Sequence, residues 1–200
     1  MKNIRLIQIA LGVIISFYMT GCTDAQRPEK FSPMEFKIDE SVLSDSKTIF
    51  NEFSIQLPKI FNQLDSSLLQ EIKVVMEKQQ VSHIIEPRVV DIYTDSLNNS
   101  IIFSSLNEKS LLLKLEDEFL IQIRERYEDK FNLSYFTING IPVIYYQLYN
   151  DQSVNLKIFL LDHTGFQLDF VIKNNRYREY SKLIESSIGT IKRNNTKENN

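Results

Sequence analysis

The chain has 200 residues, a formal charge of −3, thirteen Phe, nine Tyr and a single cysteine. A mildly acidic chain lacks the basic face that nucleic-acid binding requires, so we expect no nucleic-acid partner. One cysteine excludes a disulfide within the chain, so stability must come from the packing of apolar and aromatic side chains.

The N-terminal residues have the features of a secretory signal. Lys2 and Arg5 give a positive start, and Leu6–Met19 is almost wholly apolar. A charged start followed by an apolar run and a small-residue exit is typical of a signal peptide. The run of about 14 residues is shorter than the roughly 20 that a membrane-spanning helix needs.

The exit of this run resembles the lipobox of bacterial lipoproteins, on the residues Met19, Thr20, Gly21 and Cys22. Met19 departs from the Leu that is usual at the first lipobox position. The resemblance implies that signal peptidase II cleaves before Cys22, that the Cys22 thiol takes a diacylglyceryl group and that the new amine is often acylated as well, for example with palmitate. The alternative is an ordinary signal peptide with an incidental cysteine.

Residues 1–21 are therefore predicted to be a lipoprotein signal peptide and residues 22–33 a flexible tether, which is polar and contains two prolines. Removal of Lys2 and Arg5 takes the formal charge from −3 to −5 and leaves no polybasic patch. Attachment to the membrane must then come from acyl chains, of which one holds marginally and two or three hold firmly. We expect the protein in the bacterial cell envelope, on a periplasmic or outer face.

A single folded domain is predicted at residues 34–192, followed by a disordered tail at 193–200. Its first part has a short strand at Glu35–Ile38, an alternating strand at Phe53–Leu57 and a helix at Ser67–Gln80. Asp65 and its serine neighbours offer N-cap oxygens for this helix. The predicted apolar stripe of the helix consists of Leu68, Leu69, Ile72, Val75 and Met76.

The middle of the chain predicts a hairpin and a second helix. Strands at Arg88–Thr94 and Ser100–Leu106 flank the turn at Asp95–Asn99, and the helix covers Ser110–Asp129. The acidic run Glu116–Glu118 suggests a cation site at first sight. Side chains at neighbouring positions fan out around a helix, however, so a solvated face is favoured.

The last third predicts an antiparallel meander and a closing helix. Asn139-Gly140 is a strong hairpin signal between strands at Asn132–Ile138 and Ile141–Tyr149. Two further strands alternate around the turn that contains His163, and the helix runs from Asn174 and Asn175 to about Lys192. Its stripe is Tyr177, Tyr180, Ile184, Ile188 and Ile191.

These elements predict an α+β fold with an antiparallel sheet of about six to seven strands covered by helices. Phe159, Leu161 and Val171 lie on the strand faces opposite the main apolar rows. Both faces of the sheet are therefore expected to be buried, which favours an α/β/α sandwich.

The order of elements resembles the Mog1/PsbP-like fold, which includes DcrB-type bacterial lipoproteins. The resemblance covers about residues 52–192, and the segments with the most similar local sequence are Phe53–Pro58 and Ile184–Ile191. Gly189 lies inside the closing helix, although glycine destabilises a helix interior. Close packing of the helix against the sheet would explain a glycine at this position. The resemblance implies a role in binding other proteins or supporting assembly, and it carries over no catalytic residue.

The sequence has no catalytic or metal-binding motif, so we expect no catalytic residue, no metal and no cofactor. His163, between Asp162 and Thr164, is interpreted as a turn residue rather than an oriented base, and His83 as a helix-end residue. Asp95-Ser96-Leu97 also resembles the O-glycosylation motif of Bacteroidota, a match that three residues often make by chance.

Tyrosines are the remaining candidates for a binding surface. Tyr145, Gln147 and Tyr149 share one face of a strand, and Tyr-rich surface suits binding to a protein or a glycan. The favoured alternative is that this face forms part of a core beneath a helix.

We therefore predict a lipid-anchored envelope lipoprotein with a non-catalytic binding or assembly-accessory role and an envelope protein partner. The alternatives are a small envelope hydrolase that uses dispersed Asp, Ser and His residues, and a transporter-associated or immunity-type lipoprotein.

Overall fold

The computed structural model of the protein describes residues 31–50, 52–79, 87–106, 120–121, 123–128, 130–161 and 165–194. Within these residues the strands are, in chain order, β1 (Ser32–Pro33), β2 (Thr48–Phe50), β3 (Phe53–Ile55), β4 (Asn62–Gln63), β5 (Arg88–Thr94), β6 (Ser100–Leu106), β7 (Phe131–Ile138), β8 (Ile141–Tyr149), β9 (Ser153–Leu161), β10 (Gly165–Lys173) and β11 (Lys192–Arg193). Helix α1 covers Ser66–Gln79, helix α2 covers Tyr177–Gly189, and residues 123–127 are also helical. Nowhere in the described residues does a helix reach the length and apolarity of a membrane-spanning segment.

An eight-stranded sheet with the order β1-β7-β8-β9-β10-β6-β5-β4 dominates the domain. The consecutive strands β7 to β10 pair antiparallel, and β10 pairs with the β5–β6 hairpin through β6. The α+β class, the meander and the hairpin are confirmed. The sheet is larger than the predicted six to seven strands because β1 and β4, each two residues long, pair at its edges.

The β7–β8 turn has the backbone that its sequence predicts. Asn139 and Gly140 have φ values of 48° and 77°, in the left-handed region that Asn and Gly tolerate best. The Asn139 side chain is also used, because its Nδ2 donates to the Ile191 carbonyl at 2.7 Å. The turn thereby contacts the end of α2.

The residues around β3 differ from the prediction. Residues 34–39 form no strand, so the predicted strand at Glu35–Ile38 is wrong. β3 ends at Ile55 and belongs to a separate three-stranded sheet with the order β11-β3-β2. Its residues do not alternate between core and solvent, since Ser54 is only 6% exposed between two buried apolar neighbours.

The domain extends beyond both predicted boundaries. Phe31 packs edge-on against Tyr135 with ring centroids 5.8 Å apart, and β1 pairs in parallel with β7. At the other end, Arg193 pairs with Phe53, and the Asn194 amide donates to the Glu52 carbonyl at 2.6 Å. Residues 31–33 of the predicted tether and residues 193–194 of the predicted tail therefore belong to the fold.

Helix α2 covers one face of the main sheet. Tyr180, Ile184, Ile188 and Ile191 of the predicted stripe are buried, and Tyr177 is half-buried at the margin. The helix is shorter than predicted, because a 3-10 turn at Asn174–Arg176 precedes it and Thr190 is its C-cap. Neither Asn174 nor Asn175 caps it: the Asn174 side chain donates to the Asn150 carbonyl at 2.7 Å.

Gly189 is the last residue of α2, and its close neighbour differs from the expected one. A Cβ atom at this position would lie 2.7 Å from Cβ of Phe36 and 2.9 Å from Cγ1 of Ile38. The close packing is therefore against the segment that follows β1, not against the sheet. Because real Cβ contacts are longer than this, a side chain at position 189 would displace that segment.

The opposite face of the main sheet carries a second apolar cluster. Its buried members are Leu106, Ile123, Ile144, Tyr146, Leu148 and Phe159. Ile123 and the half-buried Tyr127 come from the helical residues 123–127, which therefore pack on this face. The predicted burial of both faces is confirmed for the β7–β9 part of the sheet.

Helix α1 begins and ends one residue earlier than predicted, and the backbone amide of Ser67 donates to the Asp65 carboxylate at 2.9 Å. The predicted stripe is covered only in part. Leu68 is 45% and Val75 is 52% exposed, whereas Leu69 and Ile72 are half-buried. The helix contacts β5, which lies near the edge of the main sheet. The sheet therefore buries only a small part of the helix surface.

Candidate binding site

A cavity of about 190 Å³ lies between α2, the β7–β9 face and the segment after β1. Its apolar walls come from six of the lining residues, Met34, Phe36, Phe136, Leu156, Ile184 and Ile188. Its polar groups come from five others, Ser134, Tyr145, Tyr177, Ser181 and Glu185. An apolar cavity with a few polar groups is the usual form of a small-molecule site.

Two periodicities bring the polar groups together. On β8, Tyr145 lies directly opposite Ser134 of β7, and Gln147 follows on the same face because alternate residues of a strand share a face. On α2, Tyr177, Ser181 and Glu185 are spaced by four residues and therefore follow one line along the helix. The cavity forms where this line faces Tyr145.

Hydrogen bonding orients the phenol of Tyr177. The side-chain amide of Gln147 donates to the Tyr177 hydroxyl at 2.6 Å. A phenol that accepts a hydrogen bond keeps its own proton to donate elsewhere.

The phenols at this site remain protonated at neutral pH. Burial raises the pKa of Tyr145 above its ordinary value of 10.0, and the neighbouring groups Tyr177, Tyr149 and Glu185 raise it further. Burial likewise raises the pKa of Tyr177, again assisted by Tyr149 and Glu185. Both side chains therefore serve as neutral hydroxyl groups with aromatic faces.

The predicted tyrosine face lies at the margin of the core. Tyr145, Gln147 and Tyr149 are all half-buried, and both tyrosines pack against the apolar cluster beneath α2. This confirms the favoured interpretation that the tyrosine face belongs to a core beneath a helix. The structure also has a cavity beside Tyr145, which the sequence did not predict.

Several predicted site residues lie outside the described residues. These are Met19, Thr20, Gly21 and Cys22 of the lipobox, the acidic run at 116–118, His83, and His163 with its neighbours Asp162 and Thr164. Their predicted roles stay predictions. In the part of the chain that the structure describes, no three His, Cys, Asp or Glu side chains converge as metal ligands would.

A buried ion pair occupies the opposite face of the main sheet. Lys157 on β9 and Asp169 on β10 are paired in register, and Nζ lies 2.6 Å from Oδ1. The side-chain amide of Gln167 donates to the other oxygen of Asp169 at 2.5 Å. Both carboxylate oxygens accept hydrogen bonds from neighbouring side chains, so we interpret this ion pair as part of the structure and not as a binding site.

The Asp95-Ser96-Leu97 motif occupies the β5–β6 turn. Ser96 and Leu97 are exposed, but Asp95 is only 7% exposed and its carboxylate accepts from the backbone amides of Leu97 and Asn99. The aspartate therefore has a structural role in the turn.

Comparison with known proteins shows a likeness in structure but none in sequence. No family model matches the sequence, and no curated protein matches it. Among solved structures, the chain is similar to the solution structure of cyanobacterial PsbP (CyanoP) from Synechocystis sp. PCC 6803, with a TM-score of 0.43 and 12% sequence identity, over 86% of this chain and 99% of that chain. The Mog1/PsbP-like assignment beyond this likeness stays a prediction.

Proposed function

We propose that the protein is a lipid-anchored bacterial envelope lipoprotein whose folded domain, an α/β/α sandwich of the Mog1/PsbP-like type, has a non-catalytic binding or assembly-accessory role. The anchor part rests on the sequence from Lys2 to Cys22, which combines a charged start, an apolar run too short to span a bilayer and a lipobox.

The tether between anchor and domain is short. Residues 23–31 separate Cys22 from β1, and an extended chain of that length reaches about 30 Å. An acylated Cys22 would therefore keep the domain within about 30 Å of the membrane surface.

The binding role rests on one observation, the cavity between α2 and β8. Its titratable groups are two phenols, whose pKa values are raised, and the exposed carboxylate of Glu185. Neutral hydroxyl groups in a cavity with apolar walls suit reversible recognition of a ligand, because the hydroxyl groups orient it through hydrogen bonds and the walls contact its apolar part.

Inhibition of signal peptidase II tests the anchor. In cells treated with globomycin, which blocks that enzyme, we expect the full-length precursor to accumulate. In untreated cells the mature protein should incorporate an alkyne-tagged fatty acid.

The Cys22→Ser variant should remain uncleaved and unlabelled, because serine offers no thiol for the diacylglyceryl group. Thr23→Ala, a substitution one residue away, is the control and should mature normally. Normal maturation of the wild type in the presence of the drug would contradict the proposal.

A further inference from the structure

Four aromatic residues line the cavity between α2 and β8. The rings of Phe36 and Phe136 have centroids 5.8 Å apart, and those of Phe136 and Tyr145 have centroids 6.0 Å apart. Tyr177 adds a fourth ring, held by its hydrogen bond from Gln147. The face of an aromatic ring is electron-rich, so a cation within about 6 Å of its centroid is attracted.

The charge at the cavity has one sign. Glu185 is exposed at its edge, two helical turns after Tyr177, and none of the described residues that line the cavity is basic. Glu185 also contributes to raising the pKa of both tyrosines, after burial, which is the effect of a negative potential at their hydroxyl groups. The same potential favours a positively charged ligand.

The size of the cavity limits the ligand. A cavity of about 150 Å³ holds one benzene molecule, so the 190 Å³ found here suits a single ring or a trimethylammonium group with a short stem. A long acyl chain would exceed this volume.

We propose that this cavity binds a small alkylammonium cation, held by the faces of Phe136, Tyr145 and Tyr177 and by the carboxylate of Glu185. This inference rests on the binding role proposed above and gives its ligand a chemical class. The methyl groups, over which the positive charge is spread, contact the rings as well as Leu156 and Ile188, and the carboxylate of Glu185 lies at the edge of the cavity.

The test compares two ligands of the same shape. Choline carries a trimethylammonium group, and 3,3-dimethylbutan-1-ol replaces it with an uncharged tert-butyl group. Binding of each is measured by calorimetry on the acylated mature protein in a neutral maltoside detergent. We expect choline to bind about tenfold more tightly than the neutral alcohol, because only the cation gains from the rings and the carboxylate.

Matched variants separate the two sources of this preference. Glu185→Gln should weaken choline binding about fivefold and leave binding of the alcohol unchanged. Glu179→Gln removes the same charge from an exposed position on α2 and should have no effect. Tyr145→Phe keeps the ring and should retain choline binding, whereas Tyr145→Leu should lose most of it.

Two outcomes would overturn the inference. Equal affinity for the two ligands would show a purely apolar site, and absence of saturation by choline in a protein that gives a normal circular dichroism spectrum would show that the cavity takes no such cation. Either result leaves acylation of Cys22 as it was, so failure of the ligand assignment is distinct from failure of the anchor proposal.

Discussion

Replacement of Phe103 by Ala should lower the free energy of unfolding by about 4 kcal/mol, the largest effect that we expect of a single substitution. Phe103 on β6 is fully buried. Its ring lies 5.2 Å from that of Phe50 in the small sheet, 5.6 Å from Tyr93 and 6.0 Å from Phe166. The substitution therefore opens a cavity at the contact between the two sheets, and neighbours on three sides limit its collapse.

The measurement is urea denaturation followed by far-ultraviolet circular dichroism, since the chain has no tryptophan. Val75→Ala, at a residue of α1 that is 52% exposed, is the control and should change the free energy by less than about 0.5 kcal/mol. A loss of less than about 1.5 kcal/mol for Phe103→Ala would mean that the two sheets do not share this core.

The second large effect is expected at Asp95, where Asp95→Ala should cost about 3 kcal/mol. Its carboxylate accepts from the amides of Leu97 and Asn99, from the Asn99 side chain at 2.8 Å and from the Tyr180 hydroxyl of α2. Asn99 in turn accepts from the Lys173 amide at 2.9 Å. Removal of the carboxylate leaves several donors unsatisfied and frees the β5–β6 turn from α2.

Tyr180→Phe is the matched variant for this network. It removes one of the donors and keeps the ring, which packs against Phe61, so the loss should be only about 1 kcal/mol. Equal losses for Asp95→Ala and Tyr180→Phe would indicate that the turn contributes nothing beyond the contact to α2. Both free energies come from the same urea titration.

The Asp95 carboxylate also predicts a loss of stability in acid. Burial alone would raise its pKa above the ordinary value of 3.8, but hydrogen bonds from Tyr180, Asn99 and Leu97 outweigh burial and lower it. Above pH 3.8 the group is charged in both the folded and the unfolded chain, so its contribution is fully present. As the pH falls below 3.8 the unfolded chain takes up the proton first, and the contribution is lost through the lower folded pKa.

Unfolding titrations of the wild type and of Asp95→Ala at pH 5 and at about pH 2.5 measure this effect. The difference between the two proteins should shrink in acid. A constant difference would assign the stabilisation to packing and not to the charged carboxylate.

The sequence predicted the parts of the fold whose signals are local. The strands β7 to β10 alternate over eight or nine residues each and are joined by short turns, and Asn139-Gly140 alone marks one of them. Asp65 similarly marks the start of α1. Such patterns depend on a few neighbouring residues, so one sequence is enough to read them.

The missed parts depend on contacts between distant residues. β11 and β3 pair Lys192 with Ser54, and strands of two or three residues are too short to show a period. The exposure of part of the α1 stripe was missed for the same reason. Its spacing gives an apolar stripe, but only the position of the sheet edge decides which part of the stripe is covered.

The candidate site was predicted only in part for this reason. Tyr145 was a candidate because it lies on a tyrosine-rich strand face. Phe36 and Glu185 reach the cavity from the two ends of the domain, and no pattern around either residue points to Tyr145. The spacing of Tyr177, Ser181 and Glu185 beside the apolar stripe of α2 was the available signal, since polar residues next to a buried stripe often line its edge.

The central claim is that the domain is tethered to a membrane through Cys22. Its most direct test is the mass of the N-terminal peptide of the mature protein, isolated from envelopes and measured after proteolysis. We predict a peptide that begins at Cys22 and carries a diacylglyceryl group on the thiol. A peptide that begins elsewhere, or one in which Cys22 has its unmodified mass, would contradict the account.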